Sequence, residues 1–302
     1  MFPSDTKLRP YFYLALAVLG WALEPIVIKL LVEDLNALQI NFYLSIFSML
    51  TIGFVAFKEG HLHHINNYSI LDWAKIGFLA FLGMIAYNLL FVYGFNYMTA
   101  AETNSLNYLW PLFVTIFAMF LLKEQPSLKH VLSIALGFCG VLILFNSSLD
   151  LSFFSKTTLP AFVVILAAVC WALYNVLQKK YGFEIFSSLF AISLIAFSFF
   201  AIFTLVNGIF VVPDIFTLMG LLFLGAVPYG LSIAFYMKAL RHGKTHTITF
   251  LSYTTPFISL ALARFMLFEP IYWRQIIALL LLVGGALVYI APLDKNDKFN
   301  AK

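Results

Sequence analysis

Ala101 to Glu124 reads AETNSLNYLWPLFVTIFAMFLLKE, and this stretch decides the fold. It is long enough to cross a bilayer as a helix, yet its first half is polar. Glu102, Thr103, Asn104, Ser105, Asn107 and Tyr108 come first, then Trp110-Pro111, then an apolar run to Leu122. A proline removes a backbone donor and clashes with the preceding turn, so a kink or break is expected at Pro111. Carbonyls and amides freed at that depth are tolerated only inside protein or against a water-filled cavity. Thr245 to Glu269, THTITFLSYTTPFISLALARFMLFE, is a relative of this stretch. In both, a glutamate follows the proline by thirteen residues, at Pro111 and Glu124 and again at Pro256 and Glu269.

Outward from these segments the chain stays apolar. Of 302 residues 62% are hydrophobic and 11% charged, and mean hydropathy is +0.94. Soluble domains carry about 25% charged residues, so the chain reads as an all-α polytopic membrane protein. A net charge of +4, spread along the sequence, gives no case for nucleic-acid binding. Cys139 and Cys170 lie in apolar runs and read as two small buried hydrophobes, with no disulfide framework or zinc site. The first apolar run contains Glu24-Pro25 and lacks a small-residue cleavage site, so it is expected to stay as a span.

A spanning helix needs about 20 mostly apolar residues. Ten candidates result: 11–31, 37–57, 74–98, 101–122, 128–146, 159–178, 184–206, 215–239, 245–267 and 272–291. With both termini in the cytoplasm, Lys7, Arg9, Lys58, Lys75, Lys123, Lys129, Lys179, Lys180, Lys238, Arg241, Lys244, Lys295, Lys298 and Lys302 fall inside. Lys29, Lys156, Arg264 and Arg274 fall outside. That asymmetry follows the positive-inside rule, and nine or eleven spans would destroy it.

The chain also repeats itself. Trp21-Ala22-Leu23 with Lys29 matches Trp171-Ala172-Leu173 with Lys179. Phe81-Leu82-Gly83 with Tyr87 matches Phe223-Leu224-Gly225 with Tyr229, and Gly140 and Gly285 each follow their proline by 29 residues. The matches keep their order at offsets of 142 to 150. The expected organisation is two five-helix repeats, 1–148 and 149–302. Five is odd, so the second repeat enters the membrane inverted, with a substrate site near the midplane between the halves.

These duplicated motifs resemble the EamA-type drug/metabolite transporter superfamily over nearly the whole chain, from about Ala15 to Tyr289. Asn107-Tyr108-Leu109-Trp110-Pro111, Ser252-Tyr253-Thr254-Thr255-Pro256 and Trp171-Ala172-Leu173-Tyr174 are similar to its bacterial aromatic-amino-acid exporter branch. The resemblance implies a ten-helix bundle with inverted pseudo-symmetry, a central cavity and export of small metabolites. Many relatives carry an arginine in the second span, where this chain reads Gln39-Ile40-Asn41-Phe42-Tyr43. That arginine's role is not carried over.

Glu24 stands out among the candidate site residues. A carboxylate at mid-span costs at least ~2.5 kcal/mol, and such acids mark ion or proton paths. It either faces the cavity, holding a substrate amine or a coupling proton, or is a buried protonated acid bonded to a neighbouring helix. Lys29 is expected to snorkel to the outer face. Asn104, Asn107 and Tyr108 share about one turn, and amides suit a zwitterion without burying fixed charge. The same groups also serve as interhelical glue. Trp21, Tyr87, Asn88, Trp171, Tyr174, Tyr229 and Tyr253 complete the substrate-binding set; for these aromatics and for Trp110, packing is the plain alternative. As a group they suit an aromatic side chain or a cation.

Other features carry structural expectations. Trp73, Tyr272 and Trp273 read as interfacial belt. Glu124 and Glu269 cap helix ends at opposite faces, and Arg264 pairs with Glu269 or snorkels. Gly137, Gly140, Gly284 and Gly285 let helices approach closely. His61, His63 and His64 sit in a solvated loop, since ligation needs convergence on a rigid frame.

No nucleophile set, phosphate loop or Walker lysine is present, so transport would run on an ion gradient, exchange or the substrate's own gradient. No cofactor or metal is expected, and the partners are a small molecule and the bilayer. The sequence leaves the oligomeric state open. The leading reading is a cytoplasmic-membrane secondary transporter exporting small neutral metabolites, aromatic amino acids foremost, without enzymatic activity. Alternatives are a carrier of S-adenosylmethionine, a nucleotide-sugar or a cationic drug, and, in another class, an intramembrane enzyme or assembly protein.

Overall fold

The computed structural model describes residues 8–123, 128–145, 158–243, 248 and 251–290. Among them, every regular element is helical. In chain order they are α1 (Arg9–Leu31), α2 (Ala37–Lys58), α3 (Ile70–Phe95), α4 (Ala100–Leu121) and α5 (Leu128–Phe145). Then follow α6 (Thr158–Tyr181), α7 (Ile185–Val206), α8 (Ile215–His242), α9 (Thr255–Met266) and α10 (Trp273–Ile290). Seven of these, α1 to α4 and α6 to α8, are long and apolar enough to cross a bilayer; Thr255–Met266 and Trp273–Val288 are shorter apolar helices. The third expected span starts earlier than 74, at Ile70, where Ser69 and Asp72 form a capping box.

Polar side chains mark where helices begin. Asn36 with Gln39 and Thr99 with Glu102 box the starts of α2 and α4, and Glu184 and Asp214 accept first-turn amides of α7 and α8. Each supplies acceptors to donors that a helix cannot satisfy itself. The rest of the surface is inverted relative to a soluble protein. Phe54, Phe57, Phe120, Leu205, Phe216 and Phe265 are exposed, while Asn41, Ser48, Asn88, Thr103, Thr115 and Ser193 are buried. Trp273 is 71% exposed, as a belt residue should be; Trp73 instead packs edge-on against Tyr68.

Three helices are interrupted, and the interruptions match between the two halves. α4 breaks at Tyr108 and Leu109, and Pro111 opens its second segment, Trp110–Leu121. α9 is preceded by the same break at Tyr253 and Thr254, with Pro256 in its first turn. A proline there costs no hydrogen bond, because first-turn amides are orphans anyway. α3 contains a π-helical turn at Phe81–Ala86 and α8 one at Val227–Leu231, on the duplicated motif. Such turns concentrate at functional sites.

The most extensive helix pairs join residues on either side of the chain's midpoint: α5 with α10, α2 with α7 and α8, α1 with α8 and α9, and α6 with α3 and α4. Gly225 permits the α2–α8 contact. A Cβ there would lie 2.7 Å from the Leu44 carbonyl oxygen and 3.0 Å from the Ser48 amide. Gly140 meets the Ala278 carbonyl of α10 in the same way, whereas Gly284 faces open space and supports no close approach. Cys139 is exposed and Cys170 half-buried, so the expectation that both are buried fails.

At one end of the bundle, two side chains clamp the turn 96–99 between α3 and α4. Lys29 Nζ donates to the carbonyls of Phe95 (2.7 Å) and Met98 (2.9 Å). Lys29 therefore does not snorkel; a cation at a helix C-terminus is satisfied by the last carbonyls. Glu269 accepts from the amides of Ala100 (2.8 Å) and Ala101 (3.0 Å), at the start of α4. It is a helix cap, as expected. The chain turns into it through Phe268, whose φ of 56° is left-handed; Lys123 has the same φ at the matching place in the first half. Glu124 lies outside the described residues. Arg264 donates to the Phe268 carbonyl.

Candidate functional site

Where the interrupted helices meet, they leave a cavity of about 370 Å³. Its walls come from matched positions in the two halves. α1 brings Trp21 and Glu24, and the turn after α3's π segment brings Tyr87. The first segment of α4 brings Asn104, Asn107 and Tyr108, and α6 brings Trp171 and Tyr174. The π turn of α8 brings Tyr229, and Tyr253 stands at the break before α9. Asn88 is not on the wall. It is fully buried behind Tyr229 and reaches the site through that hydroxyl.

The two sides of the cavity differ chemically. On one side the Tyr229 hydroxyl lies 2.6 Å from a Glu24 carboxyl oxygen and 2.5 Å from Asn88 Oδ1. Asn88 Nδ2 in turn donates to the Met84 carbonyl at 3.0 Å, within the π turn of α3. The Trp21 indole donates to the Pro228 carbonyl of the other π turn, tying α1 to α8 beside this cluster. Elsewhere on the wall four rings form a run. Tyr87 stacks on Phe91 (5.5 Å between centroids), Trp171 lies 4.8 Å from Tyr87, and Tyr174 stacks on Trp171 at 5.1 Å. Such a face takes a planar ring by offset stacking or a cation over its π cloud.

Two amides of α4 bond neighbouring helices. Asn107 Nδ2 donates to the Tyr87 hydroxyl (3.2 Å), and Asn104 Nδ2 donates to Ser259 (3.1 Å). Asn107, Gln178 and Ser193 line the cavity, and one buried oxygen of each (Oδ1, Oε1 and Oγ) has no protein partner. Buried polar atoms are nearly always paired, so these three oxygens are short of a donor in this conformation. Among the described residues, Glu24 is the one ionisable carboxyl on the wall, with no lysine, arginine or histidine beside it.

The cavity runs deeper and wider than the sequence implied. Asn175, Gln178, Ile185, Leu189, Ser193 and Met237 carry it toward the last turn of α6 and the first turns of α7. Ile52 and Ser193 bring in α2 and α7, two helices that carry none of the expected site residues. The signal was available in part: Trp171, Tyr174, Asn175 and Gln178 recur at helical spacing on one face. At the other end the Lys29 and Glu269 clamps lie beyond Glu24. The histidine loop contributes no residue to the cavity wall. Leu62–Asn67 forms a short 3₁₀ turn, His63 bonds the Gly60 carbonyl, and His61 approaches Glu184 at 3.5 Å.

Gly83 sets the depth of the aromatic side. A Cβ there would fall 2.6 Å from the Tyr174 ring, a contact with a side chain that can rotate. Gly83→Ala is therefore expected to fold, to push Tyr174 into the cavity and to weaken ligand affinity about tenfold, comparable to the ~1–3 kcal/mol of overpacking. A ligand titration followed by tryptophan fluorescence, with Trp171 as reporter, checks it.

A model of the EamA-like transporter family matches the chain twice, over residues 8–146 and 158–291. The aromatic amino acid exporter YddG of Ancylobacter novellus is 27% identical over 213 residues, covering 66% of this chain and 72% of that protein. An uncharacterized transporter of Clostridium kluyveri is 23% identical over 304 residues, covering 96% of each chain. A solved crystal structure superposes with a TM-score of 0.65 at 20% identity, over 93% of this chain and 96% of that one, a likeness of fold. With both family matches in register with the duplicated motifs and the cavity walls, this chain belongs to the EamA-like transporter family and is a multi-pass membrane transporter.

Proposed function

We propose that the protein is a secondary transporter that exports small, net-neutral metabolites, aromatic amino acids foremost, across the cytoplasmic membrane by alternating access. The observation that carries this reading is the two-sided cavity: an acid–amide side for an amino acid's polar end and a four-ring side for its side chain. Its volume lies within the range of small-molecule sites. Two inverted five-helix halves, 1–148 and 149–302, would rock around it. Matched π turns, matched proline breaks and helix pairs that map onto each other when helix number shifts by five all favour that inversion. With both termini in the cytoplasm, the cavity extends toward the cytoplasm and the Lys29 end is the closed outer side. Glu24 is then the candidate coupling group, and Trp21, Tyr87, Asn104, Asn107, Tyr108, Trp171, Tyr174, Tyr229 and Tyr253 form the substrate set, with Asn88 behind them.

Uptake into proteoliposomes of labelled phenylalanine, tryptophan, threonine and S-adenosylmethionine, with and without a pH gradient, tests the proposal. Saturable phenylalanine flux is expected, falling about tenfold in Asn107→Ala, which removes an amide that meets the polar end. The aromatic stack beside an acid also suits an organic cation. Movement of S-adenosylmethionine alone would select that second reading, and no flux of any solute in sealed vesicles would refute both.

A further inference from the structure

We infer that Asn88 is a positioning residue that holds Glu24 as the neutral acid in this conformation, by claiming the one proton of Tyr229. This rests on the transporter reading, with Glu24 as its coupling group. The protons available to this cluster can be counted. A tyrosine hydroxyl has a single hydrogen to donate, yet two oxygens, one from Glu24 and one from Asn88, lie at hydrogen-bond distance from it. The orientation of the Asn88 amide is set independently. Its other end faces the Met84 carbonyl at 3.0 Å, and a carbonyl only accepts, so Nδ2 points there and Oδ1 points at Tyr229.

An ionised Glu24 would need the Tyr229 proton for itself. Asn88 Oδ1 would then face the tyrosine oxygen at 2.5 Å with no hydrogen between two acceptors. Turning the amide over moves the conflict onto the Met84 carbonyl. With the proton on Glu24 every contact is satisfied: Glu24 donates to Tyr229, Tyr229 donates to Asn88, and Asn88 donates to Met84. Loss of the Glu24 proton therefore requires the Asn88 amide to turn and the Met84 carbonyl to give up a donor. That carbonyl lies in the π turn of α3, so deprotonation is linked to the backbone of a helix that forms the cavity wall.

The groups around Glu24 from other elements bring no cation to an ionised Glu24. They are hydroxyls: Tyr87 from α3, Tyr108 from the break in α4 and Tyr229 from α8, with Tyr253 on the same wall. On its own helix, Lys29 is committed to the carbonyls of Phe95 and Met98. A neutral Glu24 leaves the wall without fixed charge in this conformation, which matches a net-neutral cargo rather than a cation.

The test is an infrared titration of the purified protein, reading the protonated-carboxyl band assigned by its loss in Glu24→Gln. The wild type is expected to show that band at neutral pH. Asn88→Leu removes the competing acceptor, frees the Tyr229 proton for Glu24, and should move the loss of the band toward acid by about one pH unit or more, a tenfold change. Asn88→Ala makes the same change should leucine not be accommodated. The pH profile of phenylalanine uptake should move in parallel. Absence of a Glu24-dependent band in the wild type at neutral pH, or an unchanged titration in both Asn88 variants, overturns the inference. The two readings fail separately: a band that behaves as expected without flux sinks the transport proposal, and flux without the band sinks this one.

Discussion

Glu269→Ala is expected to destabilise the protein by about 2–5 kcal/mol, because it strands two buried amides at once, each worth about 1–3 kcal/mol when left unpaired. The start of α4 has a complete account of its donors. Thr99 accepts the amide of Glu102, and Glu269 takes those of Ala100 and Ala101. Glu269 is itself buried, at 9% exposure, so water does not readily replace it. The left-handed Phe268, a conformation costing about 1–2 kcal/mol for a residue with a Cβ, is there to aim this carboxylate. Glu269→Gln should lose less, since one carbonyl oxygen remains to accept. Thermal unfolding in detergent, with hydrogen exchange of residues 96–101, reads both. Equal melting temperatures for the wild type and Glu269→Ala would show that the clamp carries no stability.

Gly225→Ala should be the most damaging single methyl in the bundle. The added carbon would meet the Leu44 carbonyl, the Ser48 amide and the Phe47 Cβ, and two of these are backbone atoms of α2. Backbone cannot rotate away as Tyr174 can from Gly83, so α2 and α8 must separate, at a cost of about 1–3 kcal/mol. One turn further along α8 lies Tyr229, whose hydroxyl must stay within reach of both Glu24 and Asn88. Transport is therefore expected to fall more than about tenfold, because misplacing a positioned group by even 1 Å has that effect. Wild-type flux in Gly225→Ala would mean that α8 tolerates the displacement. A lowered melting point with normal flux would separate packing from positioning.

Much of this was legible from residue order alone. Lipid as solvent demands apolar helices, so the spans announce themselves by length and hydropathy. Duplicated tryptophans, prolines and glycines run in step with the two matches to the family model. Glu24 was conspicuous because an acid in a span is expensive. Other features depended on partners far away in sequence. Lys29 reads as a snorkelling cation until the carbonyls of Phe95 and Met98 are placed beside it. Gly284 reads like Gly140, yet one faces open space and the other a neighbouring backbone. Gln178 and Ser193 carried no signal as individual residues, since amides and hydroxyls in spans serve equally as glue.

Residue order is enough for the class of structure: an apolar helical chain, doubled, with a polar segment interrupted at Pro111 and its counterpart at Pro256. Those properties are local, set by hydropathy, backbone chemistry and spacing. Packing in three dimensions is what brings Asn88, just past the π turn of α3, and Tyr229, in that of α8, together against Glu24, and what lets Glu269 close the start of α4. These are pairings across 141 to 205 residues. Hydrogen-bond geometry depends on tenths of an ångström, and it is set by how helices pack rather than by the residues any one helix contains.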